Sequence, residues 1–528
     1  MTDEQDPTLP RPPRDWHAVL RDYGLLLLSG VLMFLGFAGF GIWPLAFVGM
    51  VPFLFVFDGP LPPRRGAFLR RAMFFAFIAW WGGFHWLVDT IERFGEFPYP
   101  LALAFGSVFF AYQALQYVLM LWLFRRARDR GFDVTVALVC AFVTAELVYP
   151  KLFSNYYGNS FHMLPMLLQV ADLGGPLLLS GLAALGNAAV YVLLRAALRR
   201  ERLPWRVPAV FAATVGVFLA YGAFRTAEVE ARMAAAPART VGVVQANVSI
   251  PEGRRHRGLS LRRHIEGTLD LEETVAPDLV VWAEGAAEMI IPEGANVRRW
   301  VYRSRDGRVI NTPTLFGAAS RREVDGDVRV FNTAFLADAD GNVLGSYDKT
   351  FLLAFGEYIP FGDVFPILYE ASPNTGHYSH GTEIAPLPLG EHRLGVLICY
   401  EDISPSYVRQ VVAESDPHLF INMTNDAWFE RSEAPAVHMA LAKFRAIEHH
   451  RYLVRATNTG ISVIVDPLGR EVARGPLFEP ALLSGEVRMM EGTTLFQVLG
   501  PWPGYLALGA VLYMAFVGRR RRREVGEA

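Results

Sequence analysis

The chain has 528 residues, 52% of them hydrophobic, and a formal net charge of −2, so no overall field draws in nucleic acid or acidic partners. Its two cysteines exclude a disulfide framework, and with no CxxC pair or Cys/His cluster neither a metal nor a cofactor is expected. The apolar residues crowd towards the two ends of the chain, the mark of a membrane protein with a more polar insert.

In chain order, apolar runs at Leu25–Phe40, Trp43–Phe57, Ala72–Ile91, Leu101–Phe124, Val134–Tyr149, Pro176–Leu194 and Pro208–Phe224 read as seven transmembrane helices, with an eighth at Trp502–Val517. Most approach the roughly 20 residues that a bilayer core requires. The first run is followed by no small-residue cleavage site and reads as a retained anchor. Arginines precede the first run (Arg11, Arg14, Arg21), separate the second from the third (Arg64, Arg65, Arg70, Arg71), follow the fourth and the sixth, and close the chain from Arg519 to Arg523. The positive-inside rule then puts both termini in the cytoplasm and the long segment before the last run outside it. The expected organisation is a seven-helix membrane domain over residues 1–225, an external domain over 226–499, and a last helix with a basic tail over 500–528. Glu146 and His85, inside or near the runs, are candidates to meet lipid headgroups, since ionisable groups at such places are often functional.

The external segment alternates short β-branched runs with helical stretches: "TVGVVQ" from Thr240, "LVVWAE" from Leu279, "RLGVLICYE" from Arg393, "HLFINM" from His418 and "GISVIVD" from Gly460, with a helix expected over Ala434–His450. Such alternation predicts an α/β core with buried strands. Three strand-like runs end in reactive groups: Glu284, Lys349 and Cys399. An ammonium lowers a thiol pKa, a carboxylate takes its proton, and a lysine neutralises an oxyanion, so together these types make a nucleophilic site. Taken singly, each has a plainer reading: a cysteine ending an apolar strand as a small buried hydrophobe, the two charges as solvated surface residues. The conjunction favours chemistry, as does the lack of a disulfide partner, because Cys140 lies in a distant apolar run.

The runs "VVWAE", "YDKTFLLAFGEYIPFG", "GVLICYED" and "NMTNDAWF" resemble the nitrilase superfamily. With the apolar runs attached, and with "GFGIWPLAFVGMVPFLFVF" and "HMALAKFRAIEHHRYLVRATNTG", nearly the whole chain is similar to the apolipoprotein N-acyltransferase family. That resemblance implies eight transmembrane helices and an extracytoplasmic αββα sandwich, in the inner membrane with the catalytic domain on the periplasmic side. It implies Cys399 as nucleophile, Glu284 as general base and Lys349 as oxyanion partner. Glu357 matches a second glutamate that holds the lysine and substrate, and Tyr400 and Glu401 match the pair after the nucleophile. The implied reaction is ping-pong: an acyl chain passes from a phospholipid to the cysteine, then from the thioester to the α-amine of a diacylglyceryl-cysteine apolipoprotein. The chain departs from the family at Trp282-Ala283-Glu284, where proline is usual in the middle, at Leu353-Ala354, and in "VSIPEGRRHRGLS", which lacks the family's tryptophan.

Both substrates are lipids, so "TFLLAFGEYIPFGDVFPILYE" reads as apolar arms touching the bilayer, broken by glycine and proline; an ordinary tucked loop is the alternative. Phe351, Phe355 and Phe361 in that segment, with Trp428 and Phe429 of "NDAWF", are the lid candidates. Arg445 and Glu448 read as a structural ion pair, and His438, His449 and His450 as histidines without a metal-ligand set. Nothing demands more than a monomer. Two rivals stand beside acyl transfer: a membrane-tethered amidase using the same residues, and a non-catalytic lipid- or lipoprotein-binding scaffold.

Overall fold

The computed structural model describes residues 15–517, apart from 60–64, 96, 293, 325, 354–355, 360–361, 363, 366–368 and 370–375. The lid candidates Phe355 and Phe361 lie outside the described residues.

Among the described residues four helices are long and apolar enough to cross a membrane: Trp16–Leu35, Tyr99–Asp129, Pro176–Arg199 and Arg206–Ala235. Three shorter apolar helices, Trp43–Phe57, Val134–Val148 and Trp502–Val517, accompany them. The first begins well before the apolar run because Asp15 caps it, its carboxylate accepting the Ala18 N–H at 3.1 Å. The run expected as one helix over Ala72–Ile91 is instead two, Arg65–Phe84 and Trp86–Gly95, broken at His85. Before the break Gly82 and Gly83 lie against the rings of Phe34 and Phe37, with no space for a Cβ at either. After it, Asp89, Glu92 and Arg93 interrupt the apolar residues, an amphipathic pattern rather than a uniformly apolar one. Arg206–Ala235 continues ten residues past the division expected after residue 225 and delivers the chain almost directly to the first strand. It is pinned by buried Asp172, which accepts from the Tyr221 hydroxyl at 2.8 Å and pairs with Arg225.

Thirteen strands are described between residues 238 and 488: β1 (Ala238–Gln245), β2 (Leu279–Val281), β3 (Ile290–Ile291), β4 (Thr314–Val324), β5 (Asp327–Ala337), β6 (Val343–Asp348), β7 (Leu387–Leu389), β8 (His392–Ile398), β9 (Leu419–Thr424), β10 (Tyr452–Thr457), β11 (Val463–Val465), β12 (Glu471–Arg474) and β13 (Ala481–Arg488). They form two sheets, ordered β13-β1-β2-β4-β5-β6 (with β3 beside β4) and β12-β11-β10-β9-β8-β7. Each sheet runs three parallel strands into two antiparallel ones: β1, β2 and β4 then β5 and β6, and β8, β9 and β10 then β11 and β12. The sequence carries no matching repeat, because topology constrains the alternation of side chains and not their identities.

That alternation builds the layers. Val241, Val243, Leu279, Val281, Val396, Ile398, Ile421 and Val454 share one apolar core between the sheets. Val280, Trp282 and Phe316 point the other way, onto Ile265 and Leu269 of the Leu259–Thr274 helix. Leu397, Phe420 and Leu453 meet Val408, Met439 and Ala446 of the Pro405–Ser415 and Ala434–His449 helices. The result is the expected αββα sandwich. Burial on both faces explains why β2, β8, β9 and β10 read as continuous apolar runs.

Candidate active site

The three strand-end residues converge across the two sheets. Glu284 lies three residues beyond β2, Lys349 directly follows β6, and Cys399 directly follows β8. Lys349 Nζ stands 3.2 Å from Glu284 Oε1 and 2.8 Å from Glu357 Oε2, with only 1% of its side chain exposed. The Asn332 amide of β5 donates to both carboxylates, at 2.7 Å to Glu284 and 2.8 Å to Glu357. The Asn425 N–H donates to the other Glu284 oxygen at 3.1 Å, and the Leu353 N–H to Glu357 at 2.8 Å. One buried ammonium thus faces two carboxylates, each of which also accepts from two neutral donors.

Cys399 opens a 3-10 turn, Cys399–Ile403, with φ of 54°. A left-handed conformation at a non-glycine residue costs about 1–3 kcal/mol and holds only where its surroundings fix it. Here the Asn422 amide donates to the Cys399 carbonyl at 3.1 Å and the Leu397 carbonyl at 3.3 Å. Glu401 completes the hold: it accepts N–H groups from Ile398 at 2.7 Å, Thr350 at 2.7 Å and Phe351 at 3.0 Å, and the Tyr347 hydroxyl at 2.9 Å. Glu401 therefore ties the end of the lysine strand to the end of the cysteine strand. Burial pushes its pKa up to about 7 against those donors.

Burial pushes the Cys399 thiol well above its ordinary value; the Glu284 charge adds to that and the Lys349 ammonium opposes it. The resting group is a thiol. Burial also raises the Glu284 carboxyl, with Lys349 pulling it down. Burial works to lower Lys349, but Glu284, Cys399 and Glu357 together hold it well above its usual range, so it stays an ammonium. A raised carboxyl beside a protonated thiol is the arrangement for proton removal during attack rather than before it.

A second buried cluster lies beneath the cysteine turn. Arg455 of β10 donates to Asp402 at 2.7 Å, Asn422 at 2.6 Å and Asp426 at 3.2 Å, and all four side chains are buried. His438 bridges the same carboxylates, with Nδ1 3.1 Å from Asp426 and Nε2 2.9 Å from Asp402. Its ring stacks on Tyr400 with centroids 5.2 Å apart. Of this cluster only His438 stood out in the sequence; for Arg455, and for Asn332, the signal is a polar residue within an apolar strand ("YLVRAT", "VFNTAF").

The lid candidates divide. Phe429 is buried, edge-on to Trp86 at 5.2 Å, so it joins the sandwich to the apolar helices. Glu430 beside it pairs with Arg93. Phe351 is half-exposed, and Trp428 packs against the main core. Glu146, a candidate for headgroup contact, is buried and accepts the Tyr157 N–H at 2.7 Å, whereas His85 is half-exposed at the helix break. Arg445 and Glu448 pair at 2.7 Å in full burial.

A strained cysteine turn, a lysine and a glutamate at the strand ends of an αββα sandwich, with a second glutamate from the segment after β6, define a nitrilase-type carbon–nitrogen hydrolase domain, here attached to apolar helices. Residues 308–494 match the family described as carbon-nitrogen hydrolase, and residues 29–189 match the apolipoprotein N-acyltransferase N-terminal domain. The chain is 31% identical over 534 residues to an apolipoprotein N-acyltransferase from Geobacter metallireducens, covering 95% of this chain and 96% of that one. It is 32% identical over 517 residues to the protein of that name from Azotobacter vinelandii, covering 95% of each. The chain belongs to the apolipoprotein N-acyltransferase family. Among solved structures it is similar to a carbon-nitrogen hydrolase from Helicobacter pylori, with 15% identity and a TM-score of 0.34 over 51% of this chain and 94% of that one. An amidase from Nesterenkonia gives 20% identity and a TM-score of 0.33 over 47% and 90%.

Proposed function

We propose that this protein transfers a fatty acyl chain from a phospholipid, through a thioester on Cys399, to the α-amine of a diacylglyceryl-cysteine apolipoprotein. The observation that carries the reading is the single ammonium of Lys349 between Glu284 and Glu357, beside a buried thiol on a left-handed turn. Cys399 Sγ attacks the ester carbonyl while Glu284 takes the thiol proton. Lys349 and a backbone N–H after the nucleophile balance the tetrahedral oxyanion. Collapse breaks the ester C–O bond, and Glu284 returns the proton to the departing lysophospholipid. The neutral acceptor amine then attacks the thioester and Glu284 accepts its proton; the C–S bond breaks, Glu284 returns the proton to the departing Cys399 sulfur, and an amide and the resting thiol remain. Two lipids occupying one site in turn is ping-pong kinetics.

The domain division, 1–225, 226–499 and 500–528, and the eight-span topology belong to the same proposal: both termini in the cytoplasm, the catalytic domain on the periplasmic face of the inner membrane, and the segment after Lys349 reaching lipid. The arginine distribution supports it. In Cys140→Ala protein, a cysteine placed at exposed Val328 is expected to react with an impermeant thiol reagent applied from the periplasmic side, and one at exposed Leu198 is not. The reverse pattern overturns the topology.

The chemistry is tested by incubating the purified full chain with phospholipid and weighing the Cys399 peptide, then adding a diacylglyceryl-cysteine lipopeptide. An acyl mass that moves to the peptide amine is the expected result. One observation favours hydrolysis as a second reading: a polar cleft of about 360 Å³ opens onto Glu284 and gives water a route. Free fatty acid in place of N-acyl product establishes that reading instead.

A further inference from the structure

The two flanks of the site differ in chemistry. On one, Tyr400 stands edge-on to Phe153 at 5.5 Å and Phe429 meets Trp86, so aromatic rings join the cysteine turn to the membrane half. On the other lies the polar cleft of about 360 Å³, lined around Glu284 by Ser249, Arg257, Ser260, Glu288, Asn425 and Asn458, all from the outer domain. Its volume falls within the roughly 300–1,000 Å³ of ordinary ligand pockets. A second recess of about 270 Å³ adjoins it, sharing Arg257 and Glu288 as wall and lined also by Gly258, Leu261 and Met289.

The wall of the cleft is held in shape. Asn458 donates to the Val248 carbonyl at 2.7 Å and to the Asn425 side chain at 3.1 Å, and it accepts the Val248 N–H at 2.9 Å. Glu288 accepts the Gly258 N–H at 3.0 Å, where φ of 74° suits glycine. These contacts fix both ends of the loop that lacks the tryptophan.

We infer that this cleft seats the first peptide residues after the acylated cysteine of the acceptor, an inference that rests on the acyl-transfer reading above. Three features select a peptide. The cleft begins at Glu284, the group that must receive the proton of the attacking amine, so an acceptor placed for attack continues into it. With Asn458 held in the wall, the Ser249 and Ser260 hydroxyls and the Asn425 side-chain amide are the groups that can meet the donors and acceptors of an extended backbone. Glu284 is already paired with Lys349, so Glu288 and Arg257 leave the rest of the cleft close to neutral, which suits an uncharged peptide backbone over a phosphate. The second recess, on the far side of Arg257 and Glu288, offers room for further residues, each taking up roughly 3.3–3.6 Å of extended chain. A seated peptide also closes the water route to the thioester.

The test uses the full-length protein in phospholipid-containing detergent micelles, with synthetic diacylglyceryl-cysteine amide and the same lipid head extended by four residues. The extended acceptor is expected to show a KM about tenfold lower than the short one. Arg257→Ala and Glu288→Ala are expected to raise the KM of the extended acceptor towards that of the short one, without raising the KM for phospholipid. A KM independent of peptide length overturns the cleft assignment, as does a variant that raises the phospholipid KM instead, which marks a headgroup seat. In every case the Cys399 thioester is weighed first. Its absence from the unaltered protein overturns acyl transfer itself, whereas a normal thioester with a length-independent KM overturns the cleft alone.

Discussion

Asn332 and Glu284 are joined at 2.7 Å by a side-chain amide that also reaches Glu357 at 2.8 Å. The amide fixes the spacing of two carboxylates that would otherwise compete for Lys349. Replacing it with leucine leaves both acids short of a donor, at about 1–3 kcal/mol for each unsatisfied group. Asn332→Leu is expected to lower acyl-transfer turnover about 10–100-fold. Asn332→Asp is expected to fall further, because a third carboxylate joins two that already share one cation. Turnover beside thermal unfolding separates the site effect from a loss of fold.

The electrostatics at Cys399 give a prediction in which reactivity and catalysis move in opposite directions. Burial and the Glu284 charge raise the thiol pKa, and Lys349 lowers it. Glu284→Gln removes one of the raising influences, so alkylation of Cys399 by a small reagent at pH 8 is expected to quicken while acyl transfer is lost with the base. Lys349→Met removes the lowering influence, and alkylation is expected to slow. Equal alkylation rates across the three proteins would remove Glu284 and Lys349 from the thiol's field.

Glu401 faces four donor groups and has no proton to give as a carboxylate. Glu401→Gln turns an N–H₂ towards some of those donors, breaking the tie between the lysine and cysteine strand ends. A loss of about 2–3 kcal/mol in stability is expected, with turnover falling more than stability explains because Lys349 and Cys399 drift apart. Glu401→Ala, which removes the clash but also the tie, is expected to recover no activity. Thermal unfolding and turnover measured side by side decide the matter.

Glu284, Lys349 and Cys399 were legible in the sequence because each ends a run whose β-branched residues announce a buried strand, and chemistry collects where buried strands stop. Asn332 and Arg455 were not, because each sits inside such a run and its partners come from distant parts of the chain, mostly the loops and turns that follow other strands. Only the energetic demand that a buried polar group be satisfied points to them, and it does not name the partner. The membrane runs were legible as apolar stretches but not as helices with ends. Hydropathy is blind to the close approach of Gly82 and Gly83 to Phe34 and Phe37, after which the chain breaks at His85. The burial of Phe429 was not legible for a related reason: an aromatic in a polar loop looks exposed until Trp86, far off in the chain, is brought against it.

His438 carries the last prediction. Burial and Arg455 push its pKa down, yet Asp402 and Asp426 outweigh them and hold it above the ordinary value, so the ring is a cation between two anions. With Arg455 the cluster then has two positive and two negative groups, which suits full burial. A base whose folded pKa is raised contributes all its stabilisation below its unfolded value of about 6.5 and loses it as pH climbs through the folded value. Asp426 works in the opposite sense: burial raises its pKa, but Arg455 and His438 pull it below the ordinary value. Its contribution is present above about pH 3.9 and is lost as pH falls through the depressed value. The cluster is therefore fullest between about pH 4 and 6.5. Unfolding of the detergent-solubilised protein is expected to show His438→Gln well below the unaltered chain at pH 5.5, with the gap narrowing steadily towards pH 9. A gap that stays constant over that range means the ring is neutral throughout, and the turn beneath Cys399 then rests on Arg455 alone.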